Sequence, residues 1–251
     1  MNVPASPIPA ATLVILRPAA GAPELLMVER AKAMAFAGGA LVFPGGRVDP
    51  GDIALASMLC RDDGDGAARV AAIRETIEEA GVGPGLTPPP SPAALARLRQ
   101  ALHAGTGFAD ALAAADTMLD LHALTPFARW LPDHAPVRIF DTRFYLGRLP
   151  VDAPAATVDA TENVHLFWST AAAVLAEADA GRATLIFPTR RTLERLAQFA
   201  TVDEAFAHAR AHPVRTITPF VEDRGGVRHL CIPDELGYPI TAEPIASVTR
   251  G

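Results

Sequence analysis

A chain of 251 residues, half of them hydrophobic and one-fifth charged, can bury a substantial core, which argues against global disorder. A formal charge of −6 excludes the general basic field that would hold nucleic acid or an anionic membrane, and Lys32 is the only lysine, so an anionic substrate must be gripped by a few arginines or a metal. Cys60 and Cys231 are too few for a disulfide framework, no apolar run reaches the ~18 residues of a membrane span, and no basic segment precedes the first apolar stretch; a soluble, cytoplasmic protein is expected.

Residues 11–17 and 24–29 are short runs rich in Leu, Val and Ile and predict two adjacent strands. A third apolar run, 40–43, is stopped by Pro44-Gly45-Gly46. The spacing turns helical from Gly66 to Ala80, with Gly81 where a C-cap glycine belongs. Residues 82–93 are rich in Pro and Gly and read as a linker, followed by a helical hairpin at about 92–104 and 108–116. Strands are predicted at 125–131, 137–149 and 163–168, and helices at about 170–180, 189–200 and 202–211. Two last strands, 216–221 and 227–232, are joined through Asp223-Arg224-Gly225-Gly226. The mixture predicts an α/β fold with a helical insertion near the middle.

The segment 74–82 concentrates the chemistry. At 100° per residue, Glu75, Glu78 and Glu79 share one helix face, while Val70, Ile73, Ile77 and Ala80 face the core. Three carboxylates at this spacing repel one another and lie near the helix C-terminus, where negative charge is unfavourable. A divalent cation would relieve both penalties, and hard oxygen donors suit Mg²⁺ or Mn²⁺. The plainer alternative is a solvated acidic face with Arg74 paired to Glu78. Upstream, Gly45 and Gly46 would let a backbone carbonyl approach a metal, or backbone N–H groups approach a phosphate.

With these residues in place, the chain resembles a Nudix hydrolase. Gly46, Asp52, Arg74, Glu75, Glu78, Glu79, Gly81 and Val82 follow the family box, with Asp52 where Glu is usual, Thr76 for the first bulky residue, and twenty-one residues rather than seven between Asp52 and Arg74. Leu26-Met27-Val28-Glu29-Arg30-Ala31, Phe36-Ala37-Gly38-Gly39 and Phe43-Pro44-Gly45-Gly46 resemble the extended signature of coenzyme A diphosphatases with an interrupted box, although Ala35 stands where that signature has a second arginine. The resemblance implies an α/β/α sandwich with a mixed sheet, formed by one domain over 1–251. The box spans 46–82 with an insertion at about 53–66, a helical insertion occupies about 83–122, and C-terminal helices and strands fill about 189–240.

The resemblance also implies metal-dependent hydrolysis of a diphosphate linkage by water attack at phosphorus. Glu75, Glu78, Glu79 and the Gly46 carbonyl are the expected ligands of Mg²⁺ or Mn²⁺, with Arg74 orienting the carboxylates. Glu75 is the first choice for water activation and Glu162 the outside candidate. Arg30 and Gly45 are expected at the substrate diphosphate. Arg190 and Arg191, on a helix capped by Thr189, are candidates for a further phosphate. The favoured substrate is coenzyme A or an acyl-coenzyme A. The rivals are another nucleoside diphosphate derivative, such as ADP-ribose or a dinucleotide, and a non-catalytic nucleotide-binding module; a homodimer is left open. For the rest, structural roles are expected: Arg138, Asp141 and Arg143 on a strand, Phe167 and Trp168 in the core, His208 and His212 on an exposed helix face, and 61–66 as an exposed loop tolerant of shortening.

Overall fold

The computed structural model describes residues 6–32, 37–60, 65–133, 139–149, 153, 155–158 and 163–248. Glu162, Arg138, residues 61–64 of the acidic run, and Ala35 and Phe36 of the signature lie outside these residues.

The chain opens with strands β1 (Ile8–Arg17), β2 (Glu24–Arg30), β3 (Leu41–Val42) and β4 (Gly45–Arg47), then helices α1 (Pro50–Leu59) and α2 (Gly66–Ala80). The middle holds β5 (Leu86–Thr87), α3 (Pro92–His103), α4 (Phe108–Ala114), β6 (Met118–Leu119), β7 (Thr125–Trp130), β8 (Phe140–Arg148) and β9 (Asn163–Thr170). Helices α5 (Ala171–Asp179), α6 (Phe187–Leu196) and α7 (Val202–Ala211) follow, then β10 (Thr216–Ile217), β11 (Phe220–Arg224), β12 (Val227–Cys231) and β13 (Ala242–Pro244).

The large sheet is mixed and eight-stranded, with a path β10-β7-β8-β1-β2-β3 that β4 joins at β1 and β9 at β2. β1 is its axis. It runs parallel to β8 from Ile8↔Phe140 to Leu16↔Arg148 and antiparallel to β2 and β4 at its two ends. Its side chains alternate as a strand buried on both faces requires. Ala11, Leu13 and Ile15 point into the core under α1, α2, α3 and α4, whereas Val14 and Leu16 point into the core under α5, α6 and α7. Leu26 against Leu25 and Met27, and Tyr145 against Phe144 and Leu146, divide the same way. The result is the expected α/β/α sandwich.

Four departures have local causes. Pro44-Gly45-Gly46 does not end the strand structure, because Gly45 and Gly46 pair with Thr12 and Ala11. The box insertion, for which the sequence gives no regular element, begins with a helix: α1 occupies Pro50–Leu59, started by Pro50 and by reciprocal bonding between Asp49 and Asp52. The 82–93 stretch is not structureless: Leu86–Thr87 pairs with Met118–Leu119, and Ser91 caps α3. Finally, 216–221 is two strands in two sheets, since Pro219 cannot donate to a ladder between them.

Candidate active site

α2 carries the acidic face between the β4 strand and the α3 side of the molecule. Val70, Ile73, Ile77 and Ala80 are fully buried, as their spacing requires, and Gly81 ends the helix with a left-handed φ of 66°. The acidic face itself is not a solvated one. Glu79 is only 6% exposed and accepts a hydrogen bond from Gly45 N–H at 3.0 Å. Glu75 lies against Gly46 so closely that a Cβ on residue 46 would stand 2.3 Å from Glu75 Oε1. The two glycines are therefore needed for close approach to α2 and to β1, not for an unusual φ.

Arg74 gathers the acids. Its Nε and Nη2 form a two-pronged pair with Asp52, both at 2.9 Å, and Asp52 is 1% exposed. Nη1 reaches Glu75 at 2.9 Å and Glu78 at 3.1 Å, and Nη2 also donates to the Arg47 carbonyl at 2.9 Å. One guanidinium thus links α1, the strand β4 and two acidic residues, in charge-assisted bonds whose planar fork sets orientation. Asp52, the aspartate at the usual glutamate position, still reaches Arg74 from the inserted helix.

Burial is the main influence on these carboxylates. It pushes Glu75 up to about 7, opposed by Arg74 and reinforced by the Glu78 charge. It pushes Glu79 up to about 8, reinforced by Glu75 and opposed by hydrogen bonds from Asn163 and Gly45 and by the Arg30 charge. Glu78 is also raised, by burial against the pull of Arg74. Among the described residues, no three His, Cys, Asp or Glu side chains converge closely enough to hold a cation by themselves. The donor set nevertheless fits a hard divalent ion: clustered oxygen donors, partly desolvated and mutually repelling, whose charged forms a cation would favour.

Other candidates divide by location. Arg30 closes β2, opposite Asn163, and its charge acts on Glu79, so the structure brings it to the acidic site. Arg190 and Arg191 are not brought there. Their helix packs on the opposite face of the sheet, where Arg190 pairs with Asp179 and Glu194 and the buried Arg191 pairs with Glu194 and Glu243, both at 2.9 Å. Thr189 does not cap that helix, which begins two residues earlier at Phe187. Asp141 pairs with Arg129, and Arg143 with Asp65. Trp168 packs against the first core under the Arg17 guanidinium. His208 is not exposed: it stacks on His212 at 4.0 Å, and burial, with Arg195 and His212 nearby, pushes it down to about 4. Nor is Asp65 a loose loop residue, since it accepts hydrogen bonds from Arg69, Arg143 and Tyr145.

Sequence reasoning missed Asn163, which is fully buried beside Glu79, and Arg99, which reaches α2 from α3. Neither lies in a motif, and only tertiary structure places them.

Comparison with known proteins agrees with this geometry. The NUDIX domain family model matches residues 7–103. No curated protein matches the sequence. Among solved structures, a NUDIX hydrolase from Alicyclobacillus acidocaldarius is 29% identical with a TM-score of 0.70, covering 82% of this chain and 97% of its own. A MutT protein from Methanosarcina mazei Go1 is 15% identical, TM-score 0.45, covering 78% and 97%. The NUDIX domain of Shewanella oneidensis NrtR, solved with ADP ribose, is 13% identical, TM-score 0.44, covering 77% and 87%. The weight rests on the first of these together with the family match. Residues 7–103 match the NUDIX domain family, and over most of its length the chain is similar in sequence and fold to a NUDIX hydrolase.

Proposed function

We propose that the chain hydrolyses the diphosphate linkage of coenzyme A or an acyl-coenzyme A, releasing 3′,5′-ADP and (acyl) 4′-phosphopantetheine. The observation that carries the hydrolytic part is the arrangement around α2: Glu75 against Gly46, Glu79 against Gly45, and Glu75 and Glu78 tied with Asp52 to Arg74. Glu75, Glu78 and Glu79, with the Gly46 carbonyl, are the residues that would hold Mg²⁺ or Mn²⁺. Such an ion neutralises charge on the diphosphate and makes the attacking water more acidic. Arg74 keeps Glu75 and Glu78 in place and is occupied by them, so it does not grip substrate. Glu75 is the first choice for taking the proton from water. Arg30, whose charge already acts on Glu79, serves the diphosphate. Replacing Arg30 with Ala should cost ~1.5–3 kcal/mol of transition-state binding, about ten- to a hundredfold in kcat/KM.

The coenzyme A assignment is supported by the extended signature around residues 26–46. A second reading, another nucleoside diphosphate derivative such as ADP-ribose or a dinucleotide, is favoured by one finding. Arg190 and Arg191 were the candidates for a 3′-phosphate, and both are held in ion pairs across the sheet from the site. Product analysis over coenzyme A, 3′-dephospho-coenzyme A, ADP-ribose and dinucleotides with Mg²⁺ and Mn²⁺ decides between them. Preference for coenzyme A over its 3′-dephospho form supports the first reading. A clear preference for ADP-ribose sinks it and leaves the hydrolase intact.

A further inference from the structure

A helix end leaves its last four carbonyls without intrahelical partners. In α2 all four are taken. Gly81 N–H donates to the Ile77 carbonyl at 3.0 Å, and Thr157 N–H donates to the Ala80 carbonyl at 2.9 Å. The two between them, the carbonyls of Glu78 and Glu79, accept from a single side chain outside the box. Arg99 Nε donates to the Glu78 carbonyl at 2.9 Å and Arg99 Nη2 to the Glu79 carbonyl at 3.1 Å. Arg99 Nη1 completes the fork by donating to Thr157 Oγ1 at 2.8 Å.

The consequence is geometric. A frayed last turn would let the Glu78 and Glu79 side chains swing with their backbone, and a planar guanidinium bridging both peptide groups removes that freedom. The charge also has the right sign, because a cation at a helix C-terminus offsets the macrodipole that otherwise disfavours three carboxylates there. Gly81 belongs to the same device. A Cβ at that position would lie 3.0 Å from Arg99 Nη1 and 3.2 Å from Thr157 Oγ1, so the glycine makes room for the arginine as well as adopting its left-handed φ.

We propose that Arg99 is a positioning residue for the cation-binding carboxylates. It sets the orientation of Glu78 and Glu79 through their own carbonyls and makes the helical insertion part of the active-site framework. The proposal rests on the assignment of Glu75, Glu78 and Glu79 as cation ligands.

The test is a Mn²⁺ titration of the full chain, followed by the electron paramagnetic resonance signal of free Mn²⁺ and run where circular dichroism shows each variant folded. Arg99→Met should weaken Mn²⁺ binding by about 10- to 100-fold, the usual effect of losing a residue that orients metal ligands. Arg99→Lys keeps the charge but cannot span two carbonyls, so its affinity should fall between the two. A folded Arg99→Met protein that binds Mn²⁺ as the wild type does would reduce Arg99 to a structural cap and overturn the proposal. Should Arg99→Met not fold, wild-type affinity in Arg99→Lys has the same meaning. Glu78→Gln and Glu79→Gln separate the two levels: unchanged binding in both removes the ligand assignment itself, whereas impaired binding there with unchanged binding in the Arg99 variants removes only the role of Arg99.

Discussion

At Gly46 the lack of a side chain is a requirement of the site, since the space a Cβ would fill belongs to the Glu75 carboxylate. Gly46→Ala should therefore fold, because φ is ordinary there, yet displace Glu75 and lower both Mn²⁺ affinity and turnover; equal Mn²⁺ affinity in a calorimetric titration would contradict this. Glu78→Gln and Glu79→Gln keep size and helix propensity while removing a charge. Turnover should fall by about 10²-fold or more in each, while the folded baseline in circular dichroism stays put. Near wild-type kcat at saturating Mg²⁺ would show that these residues are not ligands. These residues were legible because the motif is local: the offsets from Arg74 to Gly81 fix a helix face and its stop without reference to anything else. Asn163 and Arg99 were not legible, because each meets Glu78 or Glu79 only after distant segments pack, and an isolated Asn or Arg in a sequence carries no such information.

Elements were read well where periodicity and punctuation agree, as in α2 with its Gly81 stop, and poorly where composition misleads. α1 hides inside the box insertion because its apolar residues do not form one stripe: Ile53, Met58 and Leu59 are exposed while Leu55 and Ala56 are buried. The basic pair of α6 was misread for a related reason. Adjacent arginines at a helix start resemble an anion site until the acidic side chains that face them are known. Arg191→Ala breaks a buried ion-pair cluster and should cost about 3–5 kcal/mol of stability without changing KM, measured by denaturant unfolding and steady-state kinetics. A raised KM specific to coenzyme A would restore the earlier reading. Asp65 reverses the expectation of a dispensable loop, at least at its described end. Burial alone would raise its pKa, but hydrogen bonds from Tyr145, Arg143 and Arg69 outweigh it and hold the group below its ordinary value of 3.8. Its stabilising contribution is thus complete above about 3.8 and is lost as pH falls through the folded value. Asp65→Asn should lower the melting temperature at neutral pH and flatten the acid limb of the stability profile below pH 4. An unchanged acid limb would mean that the ion pairs to α2 and β8 contribute nothing.

Seen as a whole molecule, the sheet draws its central pairing from the beginning and the middle of the sequence. The segment that matches the NUDIX family, residues 7–103, contains β1 but not β8, the parallel partner along nearly all of its length. A fragment of residues 1–103 should accordingly fail to fold, with no cooperative thermal transition, and addition of the chain through β9 alone should not rescue it, because α5 to α7 cover the second face. A sharp transition in the fragment would show that the sandwich is divisible. The same pairing has a consequence on the ribosome. Ile8 must wait for Phe140, and at ~5–20 residues per second that wait is on the order of ten seconds. Throughout it, an apolar strand with an unpaired edge is already outside the tunnel, open to mispairing with neighbouring nascent chains. Production of this protein should therefore respond more to translation speed and to chaperones that shield unpaired strands than its finished stability would suggest.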